Sequence, residues 1–402
     1  MSSSRNQQDH PPQHPVAFKR FVFMAALLIA LSAYQALAQD TKDHFSFMNV
    51  ADSTQGLRGF SQFPAINNAG AVAFVATGSD GKQGVFRSRE GTVTLIASES
   101  GGLLKNFGDD VVINAAGVVG YEASPTTGAV NRMIFTSNGT WTKTIVDAKQ
   151  QGLVARFLGS PSINASGMVA FFGFRTNFSQ AVFIGNGGAL TIVADTRDNN
   201  FSGFGNAAVN SSGQVVFLGV LEDFSQGVFV AKAVKDPAND DRRGVTPAIT
   251  SVADPSSGVI SDSGVSFGDP VINETGIVAD AGGLSNGHLV IFTANGSGIT
   301  ARTDPNGSFF TSSEHPSVNN RGVVAFFATN SNGGQGIFVE LTGGASPVSV
   351  ISTGDALFGS IVTGVDLGRF ALNDRDELAF HYDLQDGRSG VAVVSLHKEE
   401  GQ

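Results

Sequence analysis

Hydrophobic and polar residues alternate along most of the chain in short runs, and clusters of Gly, Asn, Ser and Asp separate one run from the next. A period of two is the pattern of half-buried strands, and no segment sustains the 3.6-residue period of a long helix. The runs recur as a larger unit. It reads apolar-Asn-x-x-Gly-x-Val-Ala-Phe and begins at Ile66 (INNAGAVAF), Ile113 (INAAGVVGY), Ile163 (INASGMVAF), Val209 (VNSSGQVVF), Ile272 (INETGIVAD), Val318 (VNNRGVVAF) and Leu372 (LNDRDELAF). Successive asparagines lie 47, 50, 46, 63, 46 and 54 residues apart, averaging 51.

Each copy continues in the same way, with an alternating apolar strand, a polar turn, a Gly-Val-Phe strand, another turn, and a strand rich in Thr, Ile and Val that ends near aspartate. In the first copy these are Val72–Ala76, Gly84–Phe86 and Val93–Ala97. Four short strands at a period of about 40 to 50 residues make one propeller blade. The pattern therefore predicts an all-β chain folded as a seven-bladed β-propeller of four-stranded blades. After the seventh copy there is room for Glu377–Tyr382 and Gly390–Leu396 but not for a fourth strand. Phe45–Asp52 (FSFMNVAD) resembles the fourth strands Leu190–Asp195 (LTIVAD) and Ile249–Asp254 (ITSVAD), so strand 45–52 is expected to complete the last blade. Closing the ring in this way leaves no loose end, and every remaining edge is short.

The N-terminus has a different pattern. The basic pair Lys19-Arg20 precedes an apolar run, Phe21–Ser32, and Ala36-Leu37-Ala38 offers a small-x-small cleavage site. This predicts a secretory signal cut after Ala38. The 18 residues Phe21–Ala38 also reach the lower limit for an uncleaved anchor. The expected organisation is a signal at 1–38, a short lead at 39–44, a single propeller at 45–396 and a tail at 397–402. Lys235–Gly244 accounts for most of the longest repeat interval and reads as a solvated insertion.

Composition sharpens this picture. Among 402 residues there are 50 glycines, 32 phenylalanines and no cysteine. That excludes disulfides, cysteine metal sites and thiol nucleophiles, and an exported protein without disulfides is ordinary in bacteria. The formal charge of −10 becomes −12 once Arg5, Lys19, Arg20 and Asp9 leave with the signal, which argues against nucleic acid and anionic membranes as partners. No membrane span is expected after cleavage, and the expected state is a monomer. There is no HExxH, P-loop or dinucleotide fingerprint. Gly283-Leu284-Ser285-Asn286-Gly287 and Gly264-Val265-Ser266-Phe267-Gly268 spell a nucleophile elbow, but neither lies between a strand and a helix.

The repeated residues read as turn chemistry. Asn67, Asn114, Asn164, Asn210, Asn273, Asn319 and Asn373 open turns by bonding to backbone two residues on, and Gly70, Gly117, Gly167, Gly213, Gly276 and Gly322 accept the positive φ at the turn's end. The Val-Ala-Phe segment is expected to pack blade against blade. Chemistry is then sought where copies disagree. Asp280 stands where five copies have Phe74, Phe171, Phe217, Phe326 and Phe380, while Glu122 and His381 stand one position later, where the others are apolar. These three are the catalytic candidates, although a satisfied structural network or a locally open blade is the plainer account of each. Loops entering each first strand carry Asp109, Asp110, Asn206, Asp269, Glu314 and His315, the candidate ligand-binding residues. If they converge on the channel they form an acidic funnel, suited to Ca²⁺ or a polyhydroxylated ligand; solvated loop acids are the plainer account.

On these repeats, spanning Phe63–Phe380, the chain resembles the tandem NxxGxxAF repeat proteins of bacteria, an exported and largely uncharacterised family whose members often carry a C-terminal sorting tail. This chain ends Lys398-Glu399-Glu400-Gly401-Gln402 without a hydrophobic tail, so release is expected over surface anchoring. The resemblance implies export but no activity. Three functions stay open: a secreted or periplasmic module that binds a glycan or an extracellular protein, a propeller hydrolase or lyase acting on polysaccharide, and a purely structural envelope protein.

Overall fold

The alternating runs form strands, and the tight Gly-rich turns between them allow only antiparallel neighbours. In the computed structural model the described residues are 45–397, apart from 128–131, 148, 150–151, 198–199, 233–247, 258–259, 261–264, 305, 308, 311–314 and 342–345. Ser46–Lys398 forms one compact unit; of the other, Met1–Phe45 with Glu399–Gln402, only Phe45 is described. The signal, the lead at 39–44, nearly all of the tail and the insertion at 235–244 therefore lie outside the described residues.

The propeller consists of seven antiparallel sheets in chain order, and no α-helix occurs among the described residues. Blade one runs Ala65–Ile66, Val72–Thr77, Gln83–Arg89 and Thr92–Ser98 from inside to outside. Blade four has the longest innermost strand, with Phe201–Val209, Gln214–Leu221, Gln226–Lys232 and Ile249–Ala253. The seventh closes as the sequence predicts. Ser46–Asp52 pairs with Ser389–Ser395 from Ser46↔Ser395 to Asp52↔Gly390.

A shared defect shows that this N-terminal strand is a true outermost strand. Those of blades one, two, three and six each bulge by one residue, and the extra residue, Ile96, Ile145, Val193 or Val350, turns inward and is buried. The closing strand bulges at the same place, and its extra residue, Val50, is buried between blades seven and one. A bulge on an edge strand both re-aims a side chain and spoils the edge for pairing with another chain.

The Val-Ala-Phe segments pack blade on blade. Phe74, Tyr121, Phe171, Phe217 and Phe326 are buried, and each stacks across its hairpin on Phe86, Phe135, Phe183, Phe229 or Phe338 with centroids 5.3 to 6.0 Å apart. In blade seven Phe380 meets Phe47 of the closing strand edge-on at 6.1 Å instead.

The asparagines do more than open turns. Each Oδ1 accepts backbone N–H groups of its own turn, as Asn164 does from Ser166 at 3.1 Å and Met168 at 2.9 Å. Each Nδ2 then donates to the backbone carbonyl of the asparagine in the next blade, at 2.8 to 3.2 Å from Asn67 through to Asn319. Asn373 donates to Asn67 O at 3.0 Å and completes a circle of seven bonds. All seven side chains are buried. The expected turn glycines have φ between 75° and 85°, and in the seventh copy Asp376 takes that place at 54°.

Candidate functional site

The asparagine ring sits at one end of the innermost strands. Four residues earlier, at their other end, every blade breaks its pairing. In blade four the register passes from Phe204↔Gly219 to Ala207↔Phe217, so two residues, Gly205 and Asn206, oppose Leu218 alone. In blade five it passes from Phe267↔Gly282 to Val271↔Ala279. The residue four before the asparagine falls in this bulge in every copy: Phe63, Asp110, Ser160, Asn206, Asp269, His315 and Arg369. One position of the repeat thus carries six residue types in seven copies.

These residues join around the axis. Phe63 and Asp110 form a backbone bridge. Ser160 Oγ donates to Asp110 Oδ2, and Ser160 N–H donates to Asn206 Oδ1 at 2.9 Å. The Asn206 side chain hydrogen-bonds Asp269, whose Oδ2 lies 3.0 Å from His315 Nδ1. The His315 ring meets Phe63 edge-on at 5.2 Å. Six blades thus make the perimeter. Blade seven fills the middle: the buried Arg369 reaches across and donates from Nη2 to Ala207 O at 3.1 Å and Pro270 O at 2.9 Å. Phe370 lies 5.2 Å below the same guanidinium carbon and packs against the clusters between blades one and two and between blades four and five. A residual cavity of about 10 Å³ among Phe63, Asp110, Ser160, Pro161, Arg369 and Phe370 has room for roughly one water. The axis is therefore a floor bearing a polar ring, and the open acidic funnel expected from the loop acids is corrected by Arg369 and Phe370.

Burial opposes ionisation of Asp269, but the hydrogen bond from His315, the charge of Arg369 and the bond from Asn206 outweigh it and hold the carboxyl below its usual range. Of the six loop candidates, the structure unites Asp110, Asn206, Asp269 and His315 in the ring. Asp109 is exposed beside it, and Glu314 lies outside the described residues. Phe63, Ser160, Arg369 and Phe370 were not among the candidates, although aligning the copies on the asparagine would have found the first three. Among the described residues no three His, Asp or Glu side chains are grouped to hold a metal ion.

The three catalytic candidates lie apart, in blades five, two and seven. Asp280 is fully buried opposite Phe292, with Oδ1 accepting from the Ala281 N–H at 2.8 Å. His381 is buried with Nδ1 3.1 Å from Asp366 Oδ2. Glu122 differs. Its Oε2 accepts from Arg132 Nη1, while its buried Oε1 has no hydrogen-bond partner among the described residues. Burial pushes its carboxyl up to about 7 despite Arg132, and the neighbouring charge of Asp110 adds to the rise.

These features define a seven-bladed β-propeller with a closed axis and a diversified polar ring on one face. The chain belongs to the DUF7453 family of unknown function, whose pattern it matches over residues 48–397. No curated protein matches it in sequence. Among solved structures it is similar to a puromycin-hydrolyzing peptidase of Mycobacterium tuberculosis (TM-score 0.54, 14% identity), covering 86% of this chain and 53% of the peptidase. It is also similar to an oligogalacturonate lyase from Vibrio parahaemolyticus (TM-score 0.53, 12% identity), covering 87% of this chain and 96% of the lyase. The chain thus spans about half the length of the peptidase, and at these identities the likeness is one of fold. No helix among the described residues is long and apolar enough to cross a membrane.

Proposed function

We propose that this protein is an exported binding module that holds a glycan over the propeller axis, on the face carrying the bulge residues. The observation that supports this reading is the ring itself. Seven copies keep asparagine at one end of the inner strand and place Phe, Asp, Ser, Asn, Asp, His and Arg at the other. A merely structural position would repeat its residue as the asparagine does. Carboxylate, amide, hydroxyl and imidazole groups held in one ring supply the donors and acceptors that a polyhydroxylated ligand needs. Because they brace one another before any ligand arrives, little side-chain entropy is left to lose on binding. Export is supported by the apolar run and small-x-small site at residues 21–38.

The test is a thermal-shift screen of the full chain against oligosaccharides, with Ca²⁺ and EDTA as controls. A ligand at 100 times its Kd adds about 2.7 kcal/mol. The reading predicts such a gain for at least one oligosaccharide and its loss in Asp269→Ala. A flat response to all of them would overturn it.

Glu122 supports a second reading, a polysaccharide hydrolase or lyase. A carboxyl that stays protonated near neutrality beside the charged Asp110 is the arrangement of an acid and a base with separated roles. In that case Glu122→Gln abolishes release of reducing ends while leaving binding intact.

A further inference from the structure

The turn between the second and third strands has the same form in six blades. The N–H of its fourth residue donates back to the carbonyl of its first at 2.9 to 3.0 Å, and that fourth residue has φ between 65° and 87°. In blades one, five, six and seven it is Gly81, Gly287, Gly333 and Gly387. In blades three and four it is Phe178, φ 69°, and Phe224, φ 65°. The equivalent turn of blade two lies outside the described residues. A bulky side chain in this left-handed region is strained, whereas glycine is not.

The strain gains no burial in return. Phe178 is 93% exposed and Phe224 79%, the two most exposed large apolar side chains among the described residues. Nor are the turns loosely held. Asn177 Oδ1 accepts from the Ser179 N–H and hydroxyl, and Asp223 Oδ1 does the same with Ser225. The base of each turn is tied to the following blade, where Gln180 Oε1 accepts from the Phe204 N–H at 3.1 Å and Gln226 Oε1 from the Phe267 N–H at 2.9 Å. Two adjacent blades thus each present one phenyl ring on a rigid stalk. Because the strands alternate in direction, these turns emerge at the same end as the bulge ring.

We infer that Phe178 and Phe224 are stacking platforms for the sugar rings of a glycan chain that passes over blades three and four from the axial ring, an inference that rests on the glycan reading above. The surroundings favour this occupant. Each exposed ring is flanked in the chain by polar residues, Thr176, Asn177 and Ser179 in one turn and Glu222, Asp223 and Ser225 in the other. A protein partner calls for a contiguous apolar patch, which two isolated rings do not form. An anionic bilayer is repelled by a chain of net charge −10. A pyranose has an apolar C–H face to lay on an aromatic ring and hydroxyls at its edge to meet a polar border.

The experiment is affinity electrophoresis of the full chain through gels containing xylan, mixed-linkage β-glucan or polygalacturonate, with pull-down on cellulose and chitin. The probe variants are Phe178→Gly with Phe224→Gly, and separately Asp269→Ala. At least one polysaccharide should retain the parent chain, and the double glycine variant should bind it at least tenfold more weakly while melting at the same or a higher temperature. Undiminished binding by that variant overturns the platforms even if Asp269→Ala shows the axial ring at work. A lower melting temperature would make the rings structural and likewise overturn them. If Asp269→Ala binds normally and the glycine pair does not, the platforms stand and the axial reading falls. If no polysaccharide retains the parent chain, or if anionic vesicles do so through these rings, the inference is overturned.

Discussion

The two ends of the innermost strands obey opposite rules although only four residues separate them. At one end every blade presents asparagine, because each must serve both its own turn and the carbonyl of the next blade. A circle of identical bonds tolerates no exception. At the other end the bulge releases a side chain from the sheet, so its identity is not fixed by pairing, and the copies have diverged into a mixed polar ring. The contrast separates what holds the propeller closed from what is free to specialise.

The most severe way to break the closed half is to remove the strand that seals it. Deleting residues 39–52 exposes the edge of Ser389–Ser395 and removes Val50 and Ala51 from the cluster between blades seven and one. Cooperative unfolding should disappear in calorimetry, and a truncated chain melting like the intact one would refute the closure. Next is Asn164→Ala, which strands the N–H groups of Ser166 and Met168 and leaves the carbonyl of Asn210 with only the bond from the Gly213 N–H. It should cost about 3 kcal/mol in denaturant unfolding. Ser160→Ala, in the same blade but in the diversified ring, removes one hydroxyl bond to Asp110 and should cost only about 1 kcal/mol. Equal losses in the two variants would erase the distinction between the rings.

Glu122 yields a pH test of comparable size. Its carboxyl sits near 7 in the fold against an ordinary 4.5, so the folded chain binds this proton more tightly than the unfolded one. That contribution is fully present below pH 4.5 and is lost as pH rises through 7. Glu122→Gln keeps the group neutral at every pH. It should remove a fall in stability of up to about 3 kcal/mol between pH 5 and 8, read as denaturant midpoints. An unchanged pH slope would mean that Arg132 compensates the charge fully.

Much of the fold was legible because turn chemistry and strand alternation are local. Asn-x-x-Gly marked six hairpins and Asn373 the seventh, and the likeness of Phe45–Asp52 to the other fourth strands located the closing strand. The inter-blade half of the asparagine's role was not legible, since Oδ1 bonds within its own turn whereas Nδ2 reaches a residue about fifty positions away. Asp110, Asn206, Asp269 and His315 were found as loop polar residues near a strand entry. Arg369 shares their place in the repeat, but only the ring geometry shows that it and Phe370 project from blade seven across the axis to blades four and five. Phe178 and Phe224 were hidden among 32 phenylalanines until the backbone showed them in a glycine's conformation.

Hydrogen exchange of the full chain, with and without oligosaccharides of a polysaccharide that retains it, tests the central claim most directly. The account predicts new protection in the bulges around residues 108–110, 159–161, 205–207 and 268–270, with the seven asparagine turns unchanged. Protection confined to the asparagine turns would place the ligand on the other face and contradict it.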